Sequence, residues 1–290
     1  MSLQERVPSA VYEFSIAGKH LVTARAVLLA AGLRREQWSE QEDKGKPALK
    51  VFSEDASQNE RLHRLFRKLA LPGIKVSVSC LRPKDWLTRW KDQWKPAPLT
   101  RRLDVVPAWY KDRYRPKKGR DHILMDTLLS FGTGLHETTR IVCQFIEDRR
   151  GQFDSFLDIG TGTGILTMVA LKYGARRVLA IDIGNLSVQA AKDNMKANRL
   201  KAVIRRADIT TFRHGRQYDL VAANLVTQDL IDNGRRIVRF VKPGGCLAVS
   251  GISLDNLPRF RREFGCLPLK CLKIRKGRQW AGLLYEKKMS

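Results

Sequence analysis

The residues whose types and spacing can do chemistry lie between Phe131 and Asn224. Phe156, Leu157 and Asp158 precede glycines at 160, 162 and 164, and Ile165-Leu166 open a helix-compatible run to Tyr173. A strand that ends in a glycine turn and opens a helix admits a nucleotide-like ligand to its backbone, because glycine lacks Cβ and tolerates φ > 0. The next strand, Arg177 to Ile181, ends in Asp182, 22 positions after Gly160. A mononucleotide-binding βαβ unit presents a carboxylate to ribose hydroxyls there. Ile165 stands where a dinucleotide fingerprint needs its third glycine, and no G-x-x-x-x-G-K-[ST] occurs. Neither a dinucleotide nor an NTPase phosphate loop is therefore expected.

The acid-x-G-x-G-x-G order of Asp158, Gly160, Gly162 and Gly164 resembles that of class I S-adenosylmethionine (AdoMet) methyltransferases. AdoMet has no pyrophosphate, so the turn serves a close approach of its methionine end. Thr161 within the turn and Ile183 after the acid are assigned to the same cofactor. Asp208 follows a short strand, Ala202 to Arg205, where such enzymes often place an acid near the adenine amino group. Strand Tyr218 to Ala223 ends in Asn224-Leu225-Val226, at the end of a parallel strand where ligands sit. An amide there offers an acceptor oxygen that can hold an amine substrate with its lone pair aimed at the methyl group. A turn-forming asparagine is the plain alternative. In Phe131-Gly-Thr-Gly-Leu-His-Glu-Thr-Thr139, the polar residues Thr133, His136, Thr138 and Thr139 either cap the following helix or close over the cofactor.

The expected positioning elements form two domains and a linker. Residues 1–82 read β-α-β-β-α-β: strands at 10–17, near Trp38, at 49–52 and at 74–81, with helices over His20–Ala31 and Ser57–Leu69. That order matches a ferredoxin-like α+β domain, read as a recognition module. Residues 83–122 carry Trp86, Trp90 and Trp94 on one helix stripe, a strand at 103–109, and twelve Lys/Arg against five Asp/Glu. The stripe suits core packing at a domain joint or base stacking. The basic run Lys111–Arg120 suits a solvated linker or a loop facing substrate or RNA. Residues 123–290 form the α/β, Rossmann-like domain. Its later parts are a helix Ser187–Asn198, a turn Lys242–Gly245, and a closing antiparallel pair at 269–274 and 280–285.

Composition narrows the class. The 290 residues are 43% hydrophobic, enough for a real core. They lack an apolar run of membrane-spanning length and an apolar signal region, which points to a cytoplasmic protein. Five scattered cysteines with no C-x-x-C pair suggest neither a disulfide framework nor a zinc site, and no metal is expected. The net charge of +25 predicts attraction to polyanions such as RNA or a ribosome surface, or is solvated surface in a basic proteome.

The chain resembles the ribosomal protein methyltransferases of the PrmA type, which trimethylate protein eleven of the large ribosomal subunit. The resemblance spans D-W-x3-W-x3-W-K-P (85–96), Pro107-Ala108-Trp109, FGTGLHETT (131–139), LDIGTGTGIL (157–166), AID (180–182), ANLV (223–226), KPGG (242–245), SGI (250–252) and the C-terminal QWAGLLY. It implies an N-terminal domain that grips a protein substrate and a C-terminal domain that binds AdoMet. It further implies that Phe131, His136, Thr138 and Thr139 line the active-site wall, that Asp182 holds the ribose, and that Asn224 orients the amine for in-line transfer to a lysine. Asp126-Thr127-Leu128 stands where the family has Asp-Pro-Gly, and Val226-Thr-Gln-Asp229 where it has small residues and a proline. The alternatives are an rRNA or tRNA methyltransferase, which the ANLV loop disfavours against an NPPY-type loop, and an inactive fold that binds ribosome or RNA.

Overall fold

The computed structural model describes residues 94–126 and 136–289, the backbone of four strands nearer the N-terminus, and Leu28, Glu60 and Arg64. The chain groups into two compact units, Met1–Trp94 and Lys95–Ser290.

In the first unit β1 (Val11–Gly18), β2 (Trp38–Asp43), β3 (Lys46–Ser53) and β4 (Ile74–Leu81) form one sheet in the order β2-β3-β1-β4. Every neighbouring pair is antiparallel. The hairpin β2–β3 thus lies beside β1, and β4 pairs with its other edge, which is the sheet of a ferredoxin-like domain. The two expected helices lie outside the described residues, apart from Leu28, Glu60 and Arg64, which have helical backbone. Trp86 and Trp90 also lie outside them, whereas Trp94 is buried in irregular backbone.

The second unit opens with a small sheet of β5 (Ala97–Pro98), β6 (Leu103–Pro107) and β7 (Asp121–Met125), in which β6 and β7 run parallel. The strand expected through Trp109 stops at Pro107, whose nitrogen offers no donor to the ladder, and Ala108–Tyr110 form one 3-10 turn. The basic run between β6 and β7 is anchored at its end. Arg120 Nε donates to both Asp104 oxygens at 3.0 Å, and its Nη2 donates to the carbonyls of Thr100 and Leu103 at 2.9 Å.

The main sheet contains β8 (Ser155–Ile159), β9 (Arg177–Asp182), β10 (Val203–Arg206), β11 (Tyr218–Asn224), β12 (Val241–Ser253), β13 (Leu269–Lys276) and β14 (Trp280–Lys287). Their order is β10-β9-β8-β11-β12-β14-β13. The first five are parallel and the final hairpin antiparallel. The central strands read as nearly unbroken apolar runs because helices cover both their faces. Those described are α1 (Glu137–Asp148), α2 (Ile165–Lys172), α3 (Asn185–Ala197), α4 (Thr227–Arg239) and α5 (Leu257–Gly265). The Lys242–Gly245 turn expected before β12 is instead a bulge within it: Val241 pairs with Tyr218, and Cys246 with Leu220. Two glycines let four residues bulge against one.

The chain winds outward from β8 through β9 to β10, then returns to β11 and β12 on the other side of β8. An open α/β sheet places its ligand crevice at such a switch point, beyond the carboxyl ends of the strands. Here those ends are the glycine turn after Ile159 and Asn224.

Candidate functional site

The glycine turn requires its glycines. Gly160, Gly162 and Gly164 have φ of 73°, 53° and 82°, in the left-handed region that L side chains avoid. A Cβ on Gly160 would stand 2.5 Å from Leu225 Cδ2, so the segment after β11 packs directly onto the turn. The N–H groups of Gly160 and Thr161 donate to the Ile181 carbonyl at 2.9 and 3.0 Å, which fastens the turn to the end of β9.

Three carboxylates converge on this edge. Asp158 is fully buried. Thr161 and Thr167 hydroxyls both donate to its Oδ2 at 2.7 Å, while its buried Oδ1 has no partner. Burial pushes the carboxyl up to about 6, against the two hydroxyl donors, and the charge of Asp182 adds to the rise. A buried acceptor without a donor costs about 1–3 kcal/mol, so the carboxyl is held in a strained, desolvated setting directly beneath the glycine turn. Asp182 accepts the Gly162 N–H on Oδ2 at 2.9 Å and the Gly184 N–H on Oδ1 at 2.8 Å. Each oxygen keeps lone-pair capacity for a further donor. Ile183 beside it is 63% exposed. Asp208 is drawn in because the Ala207 N–H donates to the Asp182 carbonyl at 2.9 Å. The Thr210 N–H donates to Asp208 Oδ1 at 2.8 Å and holds that carboxyl below its ordinary range.

The other wall comes from α1. His136 is its N-cap: the Thr138 N–H donates to Nδ1 at 3.4 Å, and Thr138 Oγ1 lies 2.8 Å from the same nitrogen. The imidazole also meets Trp280 edge-on at 5.6 Å. The capping reading of this cluster is the one realised for His136. Thr138 and Thr139 are buried. Asn224, the last residue of β11, donates from Nδ2 to Thr139 Oγ1 at 3.4 Å. That bond turns the amide nitrogen toward α1 and leaves Oδ1 as the acceptor. Phe131 and Thr133 lie outside the described residues, as do Thr127 and Leu128.

Three further residues organise the site. Thr167 shares the grip on Asp158. Asn194, fully buried in α3, donates from Nδ2 to the Thr163 carbonyl at 2.9 Å and accepts the Asp126 N–H on Oδ1 at 2.9 Å. It thereby ties the glycine turn to the chain that leads toward residue 131. Its signal in the sequence was a poor helix former among Ala and Met. Glu137 accepts three backbone N–H groups of the β13–β14 turn, from Arg278 at 2.6 Å and from Gln279 and Trp280 at 3.1 Å. No local pattern announces a contact across some 140 positions.

A family model for ribosomal protein L11 methyltransferase (PrmA) matches residues 4–288. The ribosomal protein L11 methyltransferase of Pelobacter propionicus is 31% identical over 251 residues, covering 81% of this chain and 80% of that protein. Its counterpart in Geobacter metallireducens is 32% identical over 210 residues, covering 72% and 69%. Among solved structures, the ribosomal protein L11 methylase of Lactobacillus delbrueckii subsp. bulgaricus is similar with a TM-score of 0.63 and 28% identity, over 67% of this chain and all of that one.

Proposed function

Because the chain belongs to the ribosomal protein L11 methyltransferase (PrmA) family and so is an AdoMet-dependent protein methyltransferase, we propose that it methylates lysine amines of the large-subunit ribosomal protein L11. The observation that carries the site assignment is the Thr139–Asn224 hydrogen bond, which aims an amide oxygen beside the glycine turn.

The residues present fit the cofactor. Asp182 offers its remaining lone pairs and Ile183 an apolar cover, and Asp158, buried beneath the turn, adds negative charge and fixes the turn through Thr161. Together with Gly160, Thr161, Gly162, Gly164, Thr138 and Asp208 they would hold it, and three carboxylates suit a cation. When bound, AdoMet supplies an electrophilic methyl group on its sulfonium. Asn224 Oδ1 accepts one N–H of the acceptor amine and so fixes where the nitrogen lone pair points. Thr139 keeps the amide from rotating, and His136, engaged as a helix cap, shapes the wall. A lysine of pKa near 10.4 must shed its proton before it reacts. Desolvation against this wall favours the neutral amine, and alignment supplies most of the rate. The ferredoxin-like domain grips the substrate protein, and the +25 charge supports a second contact, with RNA or the ribosome surface.

The test is methyl transfer from labelled AdoMet into ribosomal extract lacking these modifications, with RNase and protease digests in parallel. Label in one small ribosomal protein, recovered on lysine, is expected. RNase-sensitive label would refute the protein-substrate reading.

A further inference from the structure

At the end of the main sheet opposite the glycine turn, an open groove of about 870 Å³ is lined by Arg176, Arg177, Lys201, Arg205, Arg216 and Lys242. Topology explains why it is open. Arg176, Arg177, Lys201, Arg216 and Lys242 stand at or near the amino-terminal ends of β9, β10, β11 and β12, Arg205 lies further along β10 beside Ile181, and the connection from β10 to β11, residues 207–217, contains no helix. A crossover between parallel strands usually supplies one. β10 is a four-residue edge strand paired only with β9, and its Val203 is half exposed.

The charges in the groove are poorly compensated. Asp154 takes Arg176 and Arg177, the latter at 3.0 Å, and Asp219 takes Lys242 at 2.5 Å. Lys201, Arg205 and Arg216 have no carboxylate within ion-pair distance among the described residues. Six cations facing two carboxylates leave a formal excess of four. His214, on the same wall, is held below its ordinary range by burial and then by the charges of Arg205 and Arg216, so it adds no cation at neutral pH.

We propose that this groove is an RNA-binding surface, in which Lys201, Arg205 and Arg216 take backbone phosphates. This deepens the RNA-contact reading given above and does not depend on the identity of the methylated protein. RNA is favoured over an acidic protein by charge density and donor type. Guanidinium forks match phosphate oxygens in pairs, and a nucleic-acid strand offers a charge at every residue. Most of the groove, from Ser155 and Arg177 to Arg216 and Lys242, lies at the opposite ends of the strands from Asp158 and Asn224, so an occupant there leaves the methyl-transfer site free.

The experiment is a fluorescence-anisotropy titration of the full-length protein with a short labelled single-stranded RNA, across a range of salt. The triple variant K201E/R205E/R216E is compared with R261E/K270E/K288E, which reverses three exposed charges elsewhere. RNA affinity is expected to fall more than tenfold in the groove variant only, with the salt slope smaller by about 2, as three lost phosphate contacts on a single strand require. AdoMet affinity should be unchanged, which also establishes that the variant is folded. Ultraviolet crosslinking of the unaltered protein to RNA should mark peptides within 201–218, whether or not the variant folds. Equal loss in both variants, or crosslinks confined to other segments, would overturn the proposal. Displacement of the RNA by polyglutamate at matched charge would overturn it in favour of an acidic protein partner.

Discussion

At the scale of single residues, the proposed assignment separates cofactor holding from acceptor alignment, and substitutions should separate them too. Asn224→Ala removes the acceptor oxygen without touching the glycine turn, so kcat should fall about 10²-fold with AdoMet affinity nearly intact. Thr139→Val keeps the volume but frees the Asn224 amide. It should lower kcat less, and Thr139→Ser should restore it. Single-turnover rates beside calorimetric AdoMet titrations decide this, and equal losses of rate and affinity would refute the division. Asp182→Ala should instead weaken AdoMet binding about 10–100-fold, the worth of hydrogen bonds to a charged group. Asp158 adds a pH signature. Its carboxyl is raised from 3.8 to about 6 by burial, so the stability it contributes to the cofactor-free protein is present below pH 4 and lost as pH rises through about 6. The denaturant midpoint of the unaltered protein should therefore fall across that window relative to that of Asp158→Asn, a comparison that cancels the carboxylates the two proteins share. The places of Asp158, Asp182 and Asn224 were legible in the sequence, since Asp182 and Asn224 end apolar runs that have to be buried parallel strands and Asp158 interrupts one just before the glycine turn. The hydroxyl pair that grips Asp158 was not, because only the packing of Thr161 and Thr167 shows which lone pairs are used.

At the scale of elements, Glu137 couples the start of α1 to the β13–β14 hairpin. A Cβ on Gly277 would lie 1.9 Å from Glu137 Oε1, so the turn approaches the carboxylate as closely as a backbone without side chain allows. Three N–H donors hold Glu137 below its ordinary range despite some burial. This clamp is therefore present above about pH 4.5 and is lost as pH falls through the lowered value. Glu137→Gln faces the same donors with a weaker acceptor and should cost about 1–3 kcal/mol. Because His136, Thr138 and Thr139 follow the same helix start, it should lower kcat as well, though it reaches neither cofactor nor amine. Gly277→Ala should act in the same direction. Unchanged kcat in both would mean that the hairpin does not position the wall. Here sequence reading reached its limit for a physical reason. Strand and helix positions follow local periodicity, and the order of the two larger sheets follows the connection rules. The KPGG bulge and the Glu137 clamp depend on which elements become neighbours after folding.

At the scale of the whole molecule, the division into two units, Met1–Trp94 and Lys95–Ser290, predicts how ligand energy is distributed. Every residue assigned to AdoMet belongs to the second unit. A ligand that binds only the folded form stabilises it by about 2.7 kcal/mol at ~100-fold over its Kd. For a unit of this size that is about 5–10 °C in Tm. The ferredoxin-like unit, which contributes no assigned cofactor contact, should show no direct shift. Calorimetry of the full chain should then resolve one transition that moves with AdoMet and one that does not. RNA should likewise raise only the transition of the second unit, since the basic groove lies wholly within it, and salt should abolish that shift while sparing the AdoMet shift. A single transition that moves as a whole would mean the units unfold as one body. An RNA-dependent shift of the first unit alone would place the polyanion contact on the ferredoxin-like domain and remove the groove from consideration.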